Sequence, residues 1–580
     1  MKLFWCVILC AGALQAQFGE TILVTAGAAP APAEEAPLLG SVLTREELES
    51  RKLGAVDEAV RQTLSAIVLR SGTPGKAASL FLRGTESDHT LLLIDGVPVY
   101  NSYFGGVNFG DLLTGGLDRI EVVRGPYSAL YGSEAVGGVV ALLTGGAGAP
   151  GGRAGLSVGG NGLAEGNLRW AGDGFSVALA HRRESGELDN DDWEQTQLQA
   201  AWDGGPWGIS LFARDGEQGI PLDGAVVTPD RRTASREATL SIPVNASLGG
   251  GWTLQATAAY TANRFHFEDS QDAWGYTESD TDTGRLFARA MVQREAGGWI
   301  LSAGTEGRRE TVDDSSVFGT NLDGETASGG AAFAEAAGAL GPAAVRAGLR
   351  WDTHSTFGST WNPKLGITFP AGPVRLHLQA GTAFRAPSVG ELFFPMSGNP
   401  DLEPERSRSA EAGVAAGPFT LTAFRSEFDD LIEFDFALYR FENTGEATIN
   451  GVEARWARAW GKAALDINAT WLETEAKATG EPLLRRPEWS GSWSLTAPWK
   501  RLTLSTQGIY VGSRWDVDPV TFARTENGAF YRQDLSAALG RPGWLSPWIK
   551  AENLFNASYQ EVLGYPAMGL RFSVGVTFRW

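Results

Sequence analysis

Apolar and polar residues alternate without exception over the last eleven positions. Leu570, Phe572, Val574, Val576, Phe578 and Trp580 share one face, and Arg571, Ser573, Gly575, Thr577 and Arg579 share the other. A period of two is the mark of a β-strand with two unlike faces. It returns in Trp252-Leu254-Ala256-Ala258-Tyr260, in Ala343-Val345-Ala347-Leu349-Trp351, in Val374-Leu376-Leu378-Ala380 and in Trp489-Gly491-Trp493-Leu495-Ala497-Trp499. One such strand would serve a soluble sandwich equally well. The connections separate the two readings. Short turns at Asp173-Gly174, Ala296-Gly297-Gly298 and Ala371-Gly372 alternate with long polar links over residues 264–284, 312–326 and 511–529. Short on one side and long on the other is the asymmetry of a membrane barrel. Trp and Tyr gather where these segments begin and end, as interfacial girdles do. Residues 149–580 hold about 22 alternating segments, which predicts a mostly β fold, an antiparallel transmembrane barrel wide enough to enclose a second unit.

Residues 38–148 follow other rules. Thr44 and Glu47 form a capping box ahead of a short helix. Val56, Ala59, Val60 and Leu64 give one apolar helix face. Leu91–Ile94 is an apolar run that breaks at Asp95-Gly96 and resumes as Val97-Pro98-Val99. Ile120–Val123 is a further strand, ended by Arg124-Gly125-Pro126. This predicts a compact α+β unit sized to sit in the lumen. Ahead of it, residues 1–16 read as a secretory signal with Leu14-Gln15-Ala16 as its cleavage site. Residues 17–37 hold a β-prone stretch, Glu20-Thr21-Ile22-Leu23-Val24-Thr25-Ala26, on an Ala/Pro-rich linker. A strand-former on a loose tether suits pairing with another protein's sheet edge.

Composition narrows the function. Gly (74) and Trp (20) are abundant, and beyond the first 16 positions no run approaches the ~20 apolar residues a membrane helix needs. Both cysteines, Cys6 and Cys10, lie in the signal, so the mature chain is expected to have no disulfide or thiolate metal site. A net charge of −20 argues against nucleic acid as a partner. The five histidines (His89, His181, His266, His354, His377) show no paired metal-binding spacing, and no catalytic motif stands out, so no enzyme is expected. A passive porin would leave its lumen open, and a structural adhesin has no use for Glu20–Ala26.

Leu82-Arg83-Gly84, Leu91–Val99 (LLLIDGVPV) and Ile120–Val140 (IEVVRGPYSALYGSEAVGGVV), in this order, resemble the plug signatures of TonB-dependent outer-membrane receptors. The resemblance spans nearly the whole mature chain. Thr382–Leu392 and Gly398–Glu405 resemble stretches that its cobalamin branch shares with siderophore receptors; Asn443–Glu453 and, more particularly, Asp429–Phe434, Pro482–Arg486 and Tyr510–Asp518 resemble the cobalamin branch. The resemblance implies a receptor of the bacterial outer membrane for energy-coupled uptake of a scarce ligand. That ligand is cobalamin or a related corrinoid first, and a ferric siderophore or other metal chelate second. Glu20–Ala26 then resembles the TonB box, which takes the C-terminal domain of TonB as partner. Trp580 resembles the signal read by the barrel-assembly machinery, and the barrel's surroundings are outer-membrane lipid and lipopolysaccharide. The aromatic stretch Tyr100–Gly106 departs from the cobalamin branch.

The resemblance also assigns the sites. Gly72, Ser79, Tyr100, Asn101, Tyr103, Phe104, Gly106 and Val107 form the plug apex expected to meet ligand. Tyr100, Tyr103 and Phe104 are suited either to stacking on a flat macrocycle or catecholate or to packing against the wall. No cofactor is required. An acidic exterior loop binds calcium in the cobalamin branch, and Glu187, Asp189 and Asp191, with Asp230 on the next loop, are the matching oxygen ligands. Arg83, Glu121 and Arg124 are read either as ties between plug and wall or as local ion pairs.

Overall fold

The computed structural model describes residues 27–28, 36–145, 150–272, 275–540 and 545–580. The signal and the Glu20–Ala26 segment lie outside the described residues. From Gly151–Gly159 to Arg571–Arg579, 22 strands close an antiparallel barrel. The last strand pairs with the first in the register Arg579↔Arg153 through Ser573↔Gly159. Alternation here runs opposite to that of a soluble core. Phe572 and Val574 are 55% and 49% exposed, whereas Arg571, Ser573 and Thr577 are buried. The apolar face therefore looks outward to lipid and the polar face looks into the lumen.

The short turns stand where alternation places them, with Asp173 and Gly174, Gly297 and Gly298, and Gly372 all at positive φ. The long polar links are a different matter. Residues 264–269 and 277–284 continue the strands Trp252–Asp269 and Thr277–Ala296. Of the link 312–326, only residues 317–318 are turn, between Trp299–Ser316 and Gly319–Leu340. Residues 511–529 include a separate hairpin, Arg514–Val517 with Arg524–Asn527. Strands of 18 to 22 residues reach about 60–75 Å at the usual rise, far beyond the membrane. Once outside lipid a strand keeps its ladder but needs no apolar face, so its polar composition resembles a loop.

Inside the barrel sits the plug, built on β1 (Gly40–Thr44), β2 (Ala66–Arg70), β3 (Ala78–Leu82), β4 (Thr90–Ile94), β5 (Val97–Val99), β6 (Arg119–Arg124) and β7 (Gly138–Leu143). Five of these form one sheet in the order β1-β6-β7-β4-β5, with β4 and β7 parallel, while β2 and β3 pair separately. The helix Arg45–Ser50 begins with the reciprocal Thr44/Glu47 box. The second helix, Val56–Val60, is shorter than its apolar face suggests. Its last turn tightens, with Gln62 N–H bonding Ala59 O and Thr63 N–H bonding Val60 O, so Leu64 extends the face without being helical. Val56, Val60, Leu80, Leu92, Ile120 and Val140 form the plug core, which Phe212 of the barrel wall joins.

Candidate ligand-binding site

The plug is seated by charge. Arg83, held at φ 56° before Gly84, donates to both carboxylate oxygens of Glu453 at 2.8 and 2.9 Å and also pairs with Glu411. Arg124 approaches Glu453 at 3.3 Å. Two plug arginines thus face two barrel glutamates in a buried, balanced cluster, and Phe424 of the wall lies 4.5 Å from the Arg83 guanidinium. Glu121 instead pairs with Arg119 beside it at 2.8 Å. Of the three residues read as plug–wall ties, Arg83 and Arg124 grip the wall, and Glu121 makes a local pair.

Above the apex lies a cavity of about 680 Å³ whose walls include Ser79, Tyr100, Asn101, Phe104, Gly106 and Val107. The turn that shapes it follows from local chemistry. The Asn101 side-chain oxygen accepts from Tyr103 N–H (2.8 Å) and Phe104 N–H (3.0 Å), an Asx turn. Gly105 and Gly106 then take φ of 74° and 64° to bring the chain back. Phe104 is thereby thrust out at the tip, 59% exposed, with its ring edge-to-face with Phe265 of the wall at 6.0 Å.

The other two aromatics are spent on the wall. Tyr103 is buried with Val312, Leu322 and Val389. The Tyr100 ring is covered by the Arg285 guanidinium at 4.2 Å, and its hydroxyl donates to Glu310. Tyr103 does not line the cavity, and neither does Gly72. Packing rather than ligand stacking occupies both tyrosines. Of the wall residues that face the cavity, Ile432 lies in the Asp429–Phe434 motif and Arg385 in Thr382–Leu392, whereas Phe265 had no signal in sequence beyond the ordinary parity of a strand.

The cavity's charge is one-sided. Eight carboxylates line it (Glu86, Asp88, Asp111, Glu217, Glu237, Glu391, Glu405, Glu433) against two arginines, Arg214 and Arg385. Neither arginine is free. Arg214 pairs with Asp111 at 2.6 Å and Glu237 at 3.5 Å. Arg385 pairs with Glu405, Glu391 and Asp88 at 2.7, 3.0 and 3.3 Å. Burial pushes the carboxyls of Asp88 and Asp111 above the usual range, against the pull of those arginines.

The four residues matched to a calcium loop are dispersed. Asp191 is buried; its oxygens accept from the Thr73 hydroxyl (2.7 Å) and from Glu187 N–H (2.7 Å), and Lys76 stands 3.4 Å away. It ties plug to barrel. Glu187 accepts from Gly569 N–H at 2.8 Å, Asp230 accepts from Ser270, and Asp189 is exposed. No three of the four bring their oxygens within 4.8 Å of one another. Among the described residues that convergence occurs instead at His266, Glu278 and Asp280.

Comparison with known proteins agrees with this architecture. The model for "TonB dependent receptor-like, beta-barrel" matches residues 169–577, and that for "TonB-dependent Receptor Plug Domain" matches residues 32–139. A vitamin B12 transporter of Vibrio vulnificus is 26% identical, covering 98% of this chain and 95% of its own. One from Photobacterium profundum is 26% identical, covering 93% and 92%. Among solved structures, the siderophore receptor PirA of Acinetobacter baumannii superposes with a TM-score of 0.76 at 18% identity, covering 94% of this chain and 98% of its own. The FpvAI–pyocin S2 complex reaches a TM-score of 0.81 at 13% identity, covering 97% and 91%. These structural likenesses show the fold. With the barrel model matching well over half its length and the plug model matching the unit inside, the chain belongs to the TonB-dependent receptor family, whose barrels cross the bacterial outer membrane.

Proposed function

We propose that this receptor imports a corrinoid, cobalamin or a close relative, with energy supplied through TonB. The observation that carries the reading is the cavity's charge: eight carboxylates, and two arginines that those carboxylates already neutralise. A polyanionic ferric catecholate entering it would meet repulsion with no unpaired cation to offset it. A corrinoid such as cyanocobalamin has no net charge, and its amide-rich rim brings N–H donors to those acceptors while its broad apolar ring meets the exposed Phe104 ring. The full-length relatives named as vitamin B12 transporters support the same reading.

In the proposed cycle, ligand fills the cavity between plug apex and wall. Occupancy shifts the population toward states that release Glu20–Ala26 into the periplasm. TonB captures that segment as an added strand and pulls. The test is uptake of labelled cyanocobalamin by cells lacking their own receptor. The intact chain should restore uptake that collapses with the proton gradient. Deleting Glu20–Ala26 should abolish uptake and leave binding at the cell surface unchanged. Uptake that survives the deletion would mean a passive channel; restored uptake of ferric catecholate instead would mean a siderophore receptor.

A further inference from the structure

Every cation at the cavity is outnumbered or already committed. Arg214 is shared between Asp111 and Glu237. Arg385 is shared among Asp88, Glu391 and Glu405, and His89 adds one contact to Glu405 at 2.5 Å. Glu86 pairs with Arg486 at 2.6 Å. Glu217 reaches Arg232 at 3.6 Å, but that arginine already holds both carboxylate oxygens of Asp192 at 2.9 and 2.8 Å. The remaining carboxylate, Glu433, makes no ion pair among the described residues. After all pairing, the cavity keeps a negative excess.

A local irregularity brings Glu433 there. In an unbroken strand, neighbouring side chains face opposite sides. The ladder between Phe419–Asp435 and Arg440–Trp460 slips at Leu431 and Ile432, just after Asp430 takes φ 60°. Leu431, Ile432 and Glu433 consequently all line the cavity. Gly445 on the facing strand leaves room for the carboxylate, since a Cβ there would stand 2.8 Å from Glu433 Oε1. The cross-strand partner of Glu433 is a second glutamate, Glu442, which Arg440 engages at 2.5 Å. Glu433 itself is exposed. Partial burial, then the charges of Glu86 and Glu405, push its carboxyl above the usual range. It stands in the field of other anions with nothing to offset it.

We propose that this excess makes the receptor select corrinoids of net positive charge over neutral ones, with Glu433 as its specificity-determining residue. The inference rests on the corrinoid reading above and adds charge to it. A corrinoid's charge is set at two places. An anionic axial ligand on the trivalent cobalt cancels one positive charge, and the phosphodiester of the nucleotide loop cancels another. Cyanocobalamin has both and is neutral. With water in place of cyanide, or without the nucleotide loop, the molecule is a cation. Such a cation gains the attraction of unpaired carboxylates in a partly enclosed site, in addition to the hydrogen bonds and ring contact that both forms share.

The purified full-length protein is titrated with aquacobalamin and with cyanocobalamin, which differ in one axial ligand. The buffer is mildly acidic, so that the axial water keeps its protons, and free of imidazole. At low salt aquacobalamin should bind at least about five-fold more tightly, and high salt should shrink that ratio toward unity. Glu433→Gln should lower the low-salt ratio at least about two-fold, in protein that keeps its heat-resistant electrophoretic mobility. Should that variant fail to assemble, the salt dependence in the parent protein decides. Equal binding of the two at low salt, a ratio indifferent to salt, or an undiminished ratio in assembled Glu433→Gln overturns the proposal and leaves the corrinoid reading standing. A shift in corrin absorption on binding overturns it too, because a side chain would then have displaced the water from cobalt. Binding of neither corrinoid brings down the corrinoid reading, and this inference with it.

Discussion

Arg83 shows how much of the plug's seating rests on single side chains. It makes three contacts to Glu411 and Glu453 from a left-handed backbone position. Arg83→Ala would leave Glu453 facing Arg124 and Glu411 beside only His377, and breaking a buried pair this way costs about 3–5 kcal/mol. The expected outcome is faster amide exchange in β3 and neighbouring plug strands, with the melting of the barrel itself unchanged. Equal protection in variant and parent would show that shape complementarity, not charge, holds the plug. The aromatics at the apex divide in a similar way. Phe104→Ala should weaken ligand binding about ten-fold, or ~1.4 kcal/mol, without disturbing stability. Tyr103→Ala should instead loosen the apex by ~3–5 kcal/mol as a buried aromatic is lost, read as increased protease cleavage near residue 103. The two effects exchanged would mean that Tyr103 is the ligand platform.

At the scale of elements, the closing strand pair carries the assembly reading of Trp580. Its backbone N–H and C=O bond to Gly152 at 3.0 and 2.9 Å, and its indole lies where a Gly152 side chain would stand, 2.0 Å from a Cβ placed there. The ring is 63% exposed, so deleting Trp580 removes at most ~2–3 kcal/mol of burial, which an assembled barrel tolerates. The loss should be kinetic, with less protein in the outer membrane and the inserted fraction normally heat-resistant. Unchanged yield with a lowered melting temperature would reduce Trp580 to a packing contact. Gly152→Val tests the same junction from the other side. It should displace the indole and lower yield in the same way.

Over the whole molecule, sequence was most informative where a physical constraint repeats. Lipid on one side and water on the other impose a period of two on every strand, so Trp252–Tyr260 and Leu570–Trp580 announce themselves. The plug's LLLIDGVPV and capping box did so too, because buried strands and helix starts need particular residues. Legibility ended where that constraint stops. Above the membrane, residues 264–269 and 277–284 keep their ladder but lose the apolar face, and so read as loops. The site was half visible. The Asn101-to-Gly106 turn marked the apex and the Thr382–Leu392 motif held Arg385, but Phe265 and Arg214 are inward residues of a polar lumen, and a sequence does not say whether such a residue meets plug, water or ligand. The calcium pattern also lay in the chain, yet Asp191 is engaged by Thr73 and Lys76, contacts that cross 115 residues or more and leave no local trace.

The central claim is that an acidic cavity above the plug selects a corrinoid over an anionic iron chelate. The most direct measurement is equilibrium binding of cyanocobalamin and of ferric enterobactin to the purified full-length protein at low and high salt. Cyanocobalamin should bind at submicromolar concentration with little change as salt rises, because a neutral ligand gains nothing from screening. Ferric enterobactin should not bind at about one hundred times that concentration. Tight binding of ferric enterobactin that weakens as salt rises would contradict it, since attraction would then come from cations that the cavity does not have free.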